Sequence, residues 1–330
     1  MAAIAPDTAS CIRKIRASLP PEAFQPSPAR LGHLVLHCAA IVVGYLAIKR
    51  WPIAGPVVAI AIGHSLACLA FVAHEISHNA VIRNRPVKYL LTLVALGINT
   101  VPPTMWSRLH NDAHHGHANT IDDPDRPFID GEQSVAANAY AAATMPSRET
   151  SRGNVMIFAH FVTYIGRHLV TVFYAPGRKP SIVTRRPGYR RAERHAIVAE
   201  LGVIAMMQYG VWMLCGRSWL NYFWASPAAL CVASAVIMSY VFTNHFLNPI
   251  SHAHDPLTGT TSVRVPRFFD RLHSNFSFHT EHHLFPSLNS DYYPLVSEAL
   301  KDEAPDAYRQ LNFGEAWRQL WEQPRFRPLD

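Results

Sequence analysis

The chain has 330 residues, of which 49% are hydrophobic and only 16% charged, well under the roughly 25% charge of an average soluble domain. Its apolar residues gather in a few long blocks between basic or histidine-rich stretches, which excludes an ordinary soluble globule and points to a membrane protein with sizeable polar segments. The net charge of +7 has no nucleic-acid-binding motif beside it; the basic residues flank the apolar blocks, so membrane lipid headgroups are the expected partner and nucleic acid is not.

Residues 1–30 read as a cytoplasmic N-terminal segment. Arg13, Lys14 and Arg16 are followed by Pro20, Pro21, Pro26 and Pro28 instead of the apolar core and cleavage site of a signal peptide. Two apolar blocks follow, at about 31–48 and 54–73, each close to the roughly 20 residues a spanning helix needs. Lys49 to Pro52 link them into a helical hairpin. His33, His37 and His64 interrupt these blocks and are expected to face other helices or the interface. Tyr89 to Val101 is too short to span and ends at Pro102 and Pro103, so it reads as a helix lying in the interface or dipping into the bilayer. Val155 to Tyr174 carries His160, Arg167 and His168 and reads as an amphipathic interfacial helix. A basic run from Arg178 to Arg194 precedes two more apolar blocks, 197–215 and 220–246, joined through a link with Arg217. The five cysteines, Cys11, Cys38, Cys68, Cys215 and Cys231, lack the close spacing of a metal or redox site and read as buried thiols.

The expected architecture is therefore an all-α integral membrane protein: four transmembrane helices in two hairpins with a cytoplasmic helical cap carrying the histidine-rich segments, a membrane domain over 31–290, and a helical tail over 291–330 with helices at Asp291–Lys301 and Gly314–Trp321. Four spans put both termini and the middle segment on one side. The two links hold only Lys49, Arg50 and Arg217 of the 30 basic residues, so that side is cytoplasmic by the positive-inside rule. The membrane would be a bacterial inner membrane, or the endoplasmic reticulum in a eukaryote.

Among 19 histidines, three clusters carry chemistry. His74 and His78 stand at i, i+4, which puts both imidazoles on one helix face. His110 and His114 repeat that spacing; the adjacent His115 points elsewhere on a helix and is expected to reach a second metal. His279, His282 and His283 stand at i, i+3 and i+4, with Glu281 between them able to orient one. Asp122, Asp123 and Asp125, with His117, are placed to orient ligating imidazoles from behind. All three clusters fall on the same side of the four spans. Eight histidines exceed one tetrahedral metal and suit two metals with mostly nitrogen ligands; an all-histidine set with carboxylates nearby fits iron, with zinc and copper also compatible.

The three boxes, in this order, resemble the membrane fatty acid desaturase family over most of the chain. Local text agrees: His114-His115-Gly116-His117 with Asp123-Pro124-Asp125, and Asn275 to Pro286 around the third box. The resemblance implies two iron ions, dioxygen as co-substrate, and two hydrogen removals from neighbouring methylenes of an acyl chain to give a double bond. The substrate would be a fatty acyl lipid, an acyl thioester or a free fatty acid, held in an apolar tunnel between the spans. Electrons would come from a separate protein of the ferredoxin, rubredoxin or cytochrome b5 type, since no such motif lies in the chain; the basic run is a candidate for docking it or for holding lipid headgroups. Family members usually carry a further ligand at the end of the last span. His245, after Asn244, and His252, four residues after Asn248, both qualify, with His245 slightly favoured and His254 third. Related hydroxylases, ketolases and terminal-alkene-forming decarboxylases share similar boxes. From another class, a ceramidase-like membrane zinc hydrolase would need only three ligands and an open position, and a non-catalytic metal sensor or transporter would place its ligands inside the spans.

Overall fold

The computed structural model describes residues 6–126, 146, 148, 160–174 and 185–323. After α1 (Pro6–Ser18), α2 (Leu31–Arg50) and α3 (Gly55–Ser77) form where the first two apolar blocks lie, and they pack against each other. Lys49 and Arg50 close α2, where cations suit the negative end of the helix dipole, and Pro56 opens α3, where its missing N–H costs nothing. α7 (Arg191–Leu214) and α8 (Trp219–His245) form over the last two apolar blocks, α8 passing through a π-helical turn at Trp224–Ala228 that absorbs Pro227. These four helices are long and apolar enough to cross a membrane. Their outward faces fit that setting: Val35, Leu36 and Val43 on α2 and Val198, Met206 and Tyr209 on α7 are exposed. In water such faces would aggregate; in lipid they are the stable arrangement.

Between the pairs, α4 (Arg85–Ile98) is capped by Asn84, whose side chain accepts from the Val87 N–H, and packs against α3 and α7. α5 (Pro103–Trp106) runs straight into a π-helix, Ser107–His114. The buried carboxylate of Glu200 on α7 accepts from the Thr104 N–H and hydroxyl and from the Tyr89 hydroxyl, so one acid side chain ties α4, α7 and the start of α5 together. α3 and α8 approach closely at Gly63, where a Cβ would lie 2.5 Å from the Ala229 carbonyl oxygen. A larger residue there would force the two helices apart.

α6 (His160–Phe173) is amphipathic, as its sequence suggests, but its polar side faces the protein. Its polar side is buried, with Arg167 4% and His168 0% exposed, while Val170 and Phe173 are exposed. Arg167 donates to His168 Nε2 at 2.8 Å, and His168 lies 3.5 Å from Asp125. Buried polar groups need partners, and here they find one another inside the protein. Residues 155–159 and Arg178 and Lys179 of the basic run lie outside the described residues.

Beyond α8 come a one-turn α9 (Pro256–Gly259), β1 (Ser262–Arg264), α10 (Arg267–Leu272), α11 (His279–Leu284), α12 (Tyr293–Glu303), β2 (Gln310–Asn312) and α13 (Phe313–Glu322). The fold is thus not purely helical: β1 pairs in parallel with β2, Val263 opposite Leu311. Nor is the tail an appendage. α12 packs against α1 and α11, and α13 against α8, so α12 holds the helix of the third histidine box from behind.

Candidate metal centre

The first box sits at the end of α3, with His74 in the last turn and His78 as the capping residue; their rings are 4.8 Å apart. The second box lies in the π-helix, and this changes the expected division of ligands. The His115 N–H bonds to the His110 carbonyl, five residues back, at 3.1 Å. That wider turn brings His110 and His115 together, with their Nε2 atoms 3.3 Å apart. Ligand atoms of His74, His78, His110, His115 and His282 lie within 4.8 Å of one another. His114, not His115, is the member that leaves, and it groups with His245 and His283. Trp106 stacks on the His110 ring at 4.6 Å.

The third box serves both groups. His282 Nε2 is 3.1 Å from His115 Nε2. His279 Nε2 is 2.7 Å from His245 Nε2 and 3.2 Å from His283 Nε2. The structure therefore gathers the eight box histidines and His245 into two adjoining clusters. His245 ends α8, and its carbonyl accepts from Asn119 Nδ2 at 2.8 Å and from Arg126 at 3.2 Å. His252 belongs to neither cluster. After Phe246 the chain leaves the helix, and Ser251 bonds through its backbone to Asn119 and Ile121, which leaves His252 exposed. His254 and His117 are likewise in neither cluster. Glu281 does not orient a neighbouring imidazole; it accepts from the Ser262 and Tyr308 hydroxyls and so fastens α11 to β1 and the tail.

The donor chemistry suits divalent transition metals. His74 Nε2 and His78 Nε2 are buried without a hydrogen-bond partner among the described residues, which is costly for a polar atom unless a ligand takes its lone pair. A family model described as fatty acid desaturase matches residues 49–314. The chain belongs to the fatty acid desaturase family. Both histidine clusters lie within the matched region.

Charge is arranged unevenly across this desaturase-family site. Burial, then the mutual proximity of the rings, holds His78, His110, His115, His279, His282 and His283 well below the ordinary histidine value of 6.5, so they are neutral, with lone pairs available. His114 is the exception. Burial opposes its charge, but Asp123, 3.0 Å from its Nδ1, and Asp125, at 3.5 Å, raise it to about 9. Asp123 is itself fixed, accepting from the backbone N–H groups of Asn119 and Asp125.

A cavity opens on both clusters. His74, His110, His114, His245 and His279 face it, and Leu96, Ile237, Met238, Val241 and Phe276 give it apolar walls. Sequence reasoning missed several of the supports: Tyr293, whose hydroxyl lies 3.1 Å from His282 Nδ1, Trp106 on His110, and Asn119 and Arg126 on the His245 carbonyl. None follows from helical spacing, because each contact depends on how separate elements pack.

Proposed function

We propose that this protein is a membrane-bound, di-iron, dioxygen-dependent enzyme that introduces a carbon–carbon double bond into the acyl chain of a lipid, an acyl thioester or a free fatty acid. The observation that carries the reading is the convergence of nine imidazoles in two adjoining clusters, five of which face a cavity with Leu96, Ile237, Met238 and Val241 on its apolar walls. His74, His78, His110, His115 and His282 would hold one iron; His114, His245, His279 and His283 would hold the other. The irons, with dioxygen and electrons from a separate ferredoxin-, rubredoxin- or cytochrome b5-type protein, supply the oxidising power that unactivated methylenes require. The chain's own residues bind and orient. Leu96, Ile237, Met238 and Val241 exclude water and hold a polymethylene chain in register, since neighbouring C–H bonds are chemically alike and position alone selects between them. Asp123, 3.0 Å from His114 Nδ1, would hold the proton there and so leave Nε2 as the atom that could hold a metal.

The protein would be a multi-pass membrane protein with the centre and both termini cytoplasmic. The charge pattern supports this orientation, with Lys49, Arg50 and Arg217 the only basic residues in the two short links.

The test is expression in a lipid-producing host with a redox partner, followed by mass spectrometry of the lipids and metal analysis of the purified protein. The expected result is an internal alkene, two hydrogens lighter than its precursor, from protein containing iron. A hydroxylated acid, a ketone or a terminal alkene in its place would move the protein to a related lipid oxidase. Active protein with one zinc and no iron would make it a hydrolase.

A further inference from the structure

Away from the nine-histidine centre, a second set of metal-type side chains meets between α3 and the end of α10. His64 and Cys68 stand at i, i+4 on α3, and His273 caps α10. The Nε2 atoms of His64 and His273 are 3.1 Å apart, and Cys68 Sγ lies 3.8 Å from His64 Nδ1. One ligand atom from each of the three lies within 4.8 Å of the others. Cys68 and His273 are buried, and His64 is half-buried.

A lone imidazole pair at this distance can be no more than an N–H···N hydrogen bond. Three further features separate this one from that reading. The approach repeats the main centre, where His115 and His282 also bring their Nε2 atoms to 3.1 Å. The support repeats it too: His273 Nδ1 lies 2.9 Å from the Tyr240 hydroxyl, as His282 Nδ1 lies 3.1 Å from the Tyr293 hydroxyl. A partner on the outer nitrogen fixes the tautomer and leaves Nε2 facing inward, as a metal ligand requires. Lastly, Ser274 and Asn275, directly after His273, both have positive φ, 54° and 56°. Two consecutive non-glycine residues in the left-handed region are strained, and such strain gathers where side chains are held for a ligand.

The cluster is distinct from the main centre. Phe71 and Phe276 stand between them, with ring separations of 5.2 Å from His273 to Phe71, 4.7 Å from Phe71 to Phe276, and 5.1 Å from Phe276 to His74.

We propose that His64, Cys68 and His273 form a third metal site, which takes one soft monovalent ion of the Cu(I) type. Thiolate and imidazole are soft to borderline donors, suited to Cu(I). His64 and Cys68 lie within a helix long and apolar enough to cross a membrane, where net charge is expensive. One Cu(I), one thiolate and two neutral imidazoles sum to zero, whereas a divalent ion on the same ligands leaves a positive charge. On binding, the copper–sulfur bond forms, the S–H bond breaks, and the thiol proton leaves to solvent; no electron is transferred.

The test uses iron-loaded, full-length protein in detergent, titrated anaerobically with Cu(I) against a chromogenic Cu(I) chelator. The expected result is one copper per chain in the native protein. In Cys68→Ser and His273→Ala, copper should bind at least about 100-fold more weakly, with iron content unchanged. Copper-edge X-ray absorption on the native protein should show one sulfur and two nitrogen neighbours. Absence of copper uptake in competition, full affinity in Cys68→Ser, or a spectrum without sulfur would each overturn the proposal. Should a variant fail to fold, the absorption spectrum of the native protein decides alone.

Discussion

The two halves of the histidine centre use the same side chain and support it differently. The half built on His74, His78, His110, His115 and His282 has five imidazoles drawn from all three boxes, and no carboxylate hydrogen-bonds to any of them among the described residues: its close backing is the Tyr293 hydroxyl on His282 and the Trp106 ring on His110. Glu75 comes only to 3.6 Å of His74 Nδ1, beyond hydrogen-bonding distance. The half built on His114, His245, His279 and His283 has four imidazoles, one of them from outside the boxes, and it is backed by charge: Asp123 and Asp125 on His114. Nine neutral imidazoles leave the full charge of two divalent ions uncompensated in a buried site, so carboxylates close behind one half lower the cost of occupying it. The difference implies that one half relies on ligand number and the other on carboxylate support. Variants that strike one half at a time can test this.

The largest effects should come from removing ligands. His78→Ala and His245→Ala should each drop iron from about two ions per chain to about one and reduce turnover by at least about a thousandfold, because the chemistry requires both ions while each half keeps most of its own ligands. Iron analysis of purified protein beside a turnover assay checks this. Two irons and undiminished activity in His245→Ala would break the division of the centre as drawn.

Next comes Asp123→Asn, which keeps the shape and removes the charge. Loss of a supporting carboxylate of this kind costs about 10- to 100-fold in metal affinity, and the loss should fall on the His114 half alone. The same variant carries a pH signature. His114 is raised from 6.5 to about 9 in the ion-free protein, so the His114–Asp123 pair stabilises the fold fully below about pH 6.5, and that stabilisation fades as pH rises through about 9. Metal must displace the proton on His114 Nε2, while Asp123 keeps the one on Nδ1. Loading at pH 7.5 should therefore release about one more proton per chain than in Asp123→Asn, measured by titration calorimetry in buffers of different ionisation enthalpy. Equal release from both proteins would place the proton elsewhere.

How much of this was legible in the chain depended on the range of the contact. The four apolar helices and the tail helices declare themselves because lipid imposes length and composition locally. The boxes declare themselves because i, i+4 spacing is local. The division of ligands between the two halves was not legible. It turns on the π-helix over Ser107–His114, which inserts an extra residue in a turn and so defeats any reading based on α-helical spacing. Tyr293, Asn119 and Arg126 were also out of reach, since their roles arise only when the tail and the loop after the second box fold back on α8 and α11. α6 shows the same point from the other side. Charges inside an apolar stretch looked interfacial, and Arg167 and His168 are in fact buried against the protein, bonded to each other beside Asp125.

A smaller effect is expected from Tyr293→Phe. The hydroxyl holds one outer nitrogen in the half that has five ligands, and a neutral hydrogen bond is worth about half of a charged one. Iron affinity at that half should fall by about tenfold or less, with proton release on loading unchanged. A loss matching that of Asp123→Asn would mean that ligand number does not compensate for weak backing.

The smallest expected effect is the most direct test of the ninth position. His252→Ala should leave iron content, turnover and thermal stability within error of the native protein, because exposed side chains away from special features contribute little and His252 is exposed in the loop where Ser251 is bonded to Asn119 and Ile121. His245, in contrast, is buried and has its carbonyl held by Asn119 and Arg126. The two residues therefore compete for one role with opposite expectations. Loss of one iron in His252→Ala, with both retained in His245→Ala, would require the loop to close over the centre in the loaded protein and would reassign the ninth ligand.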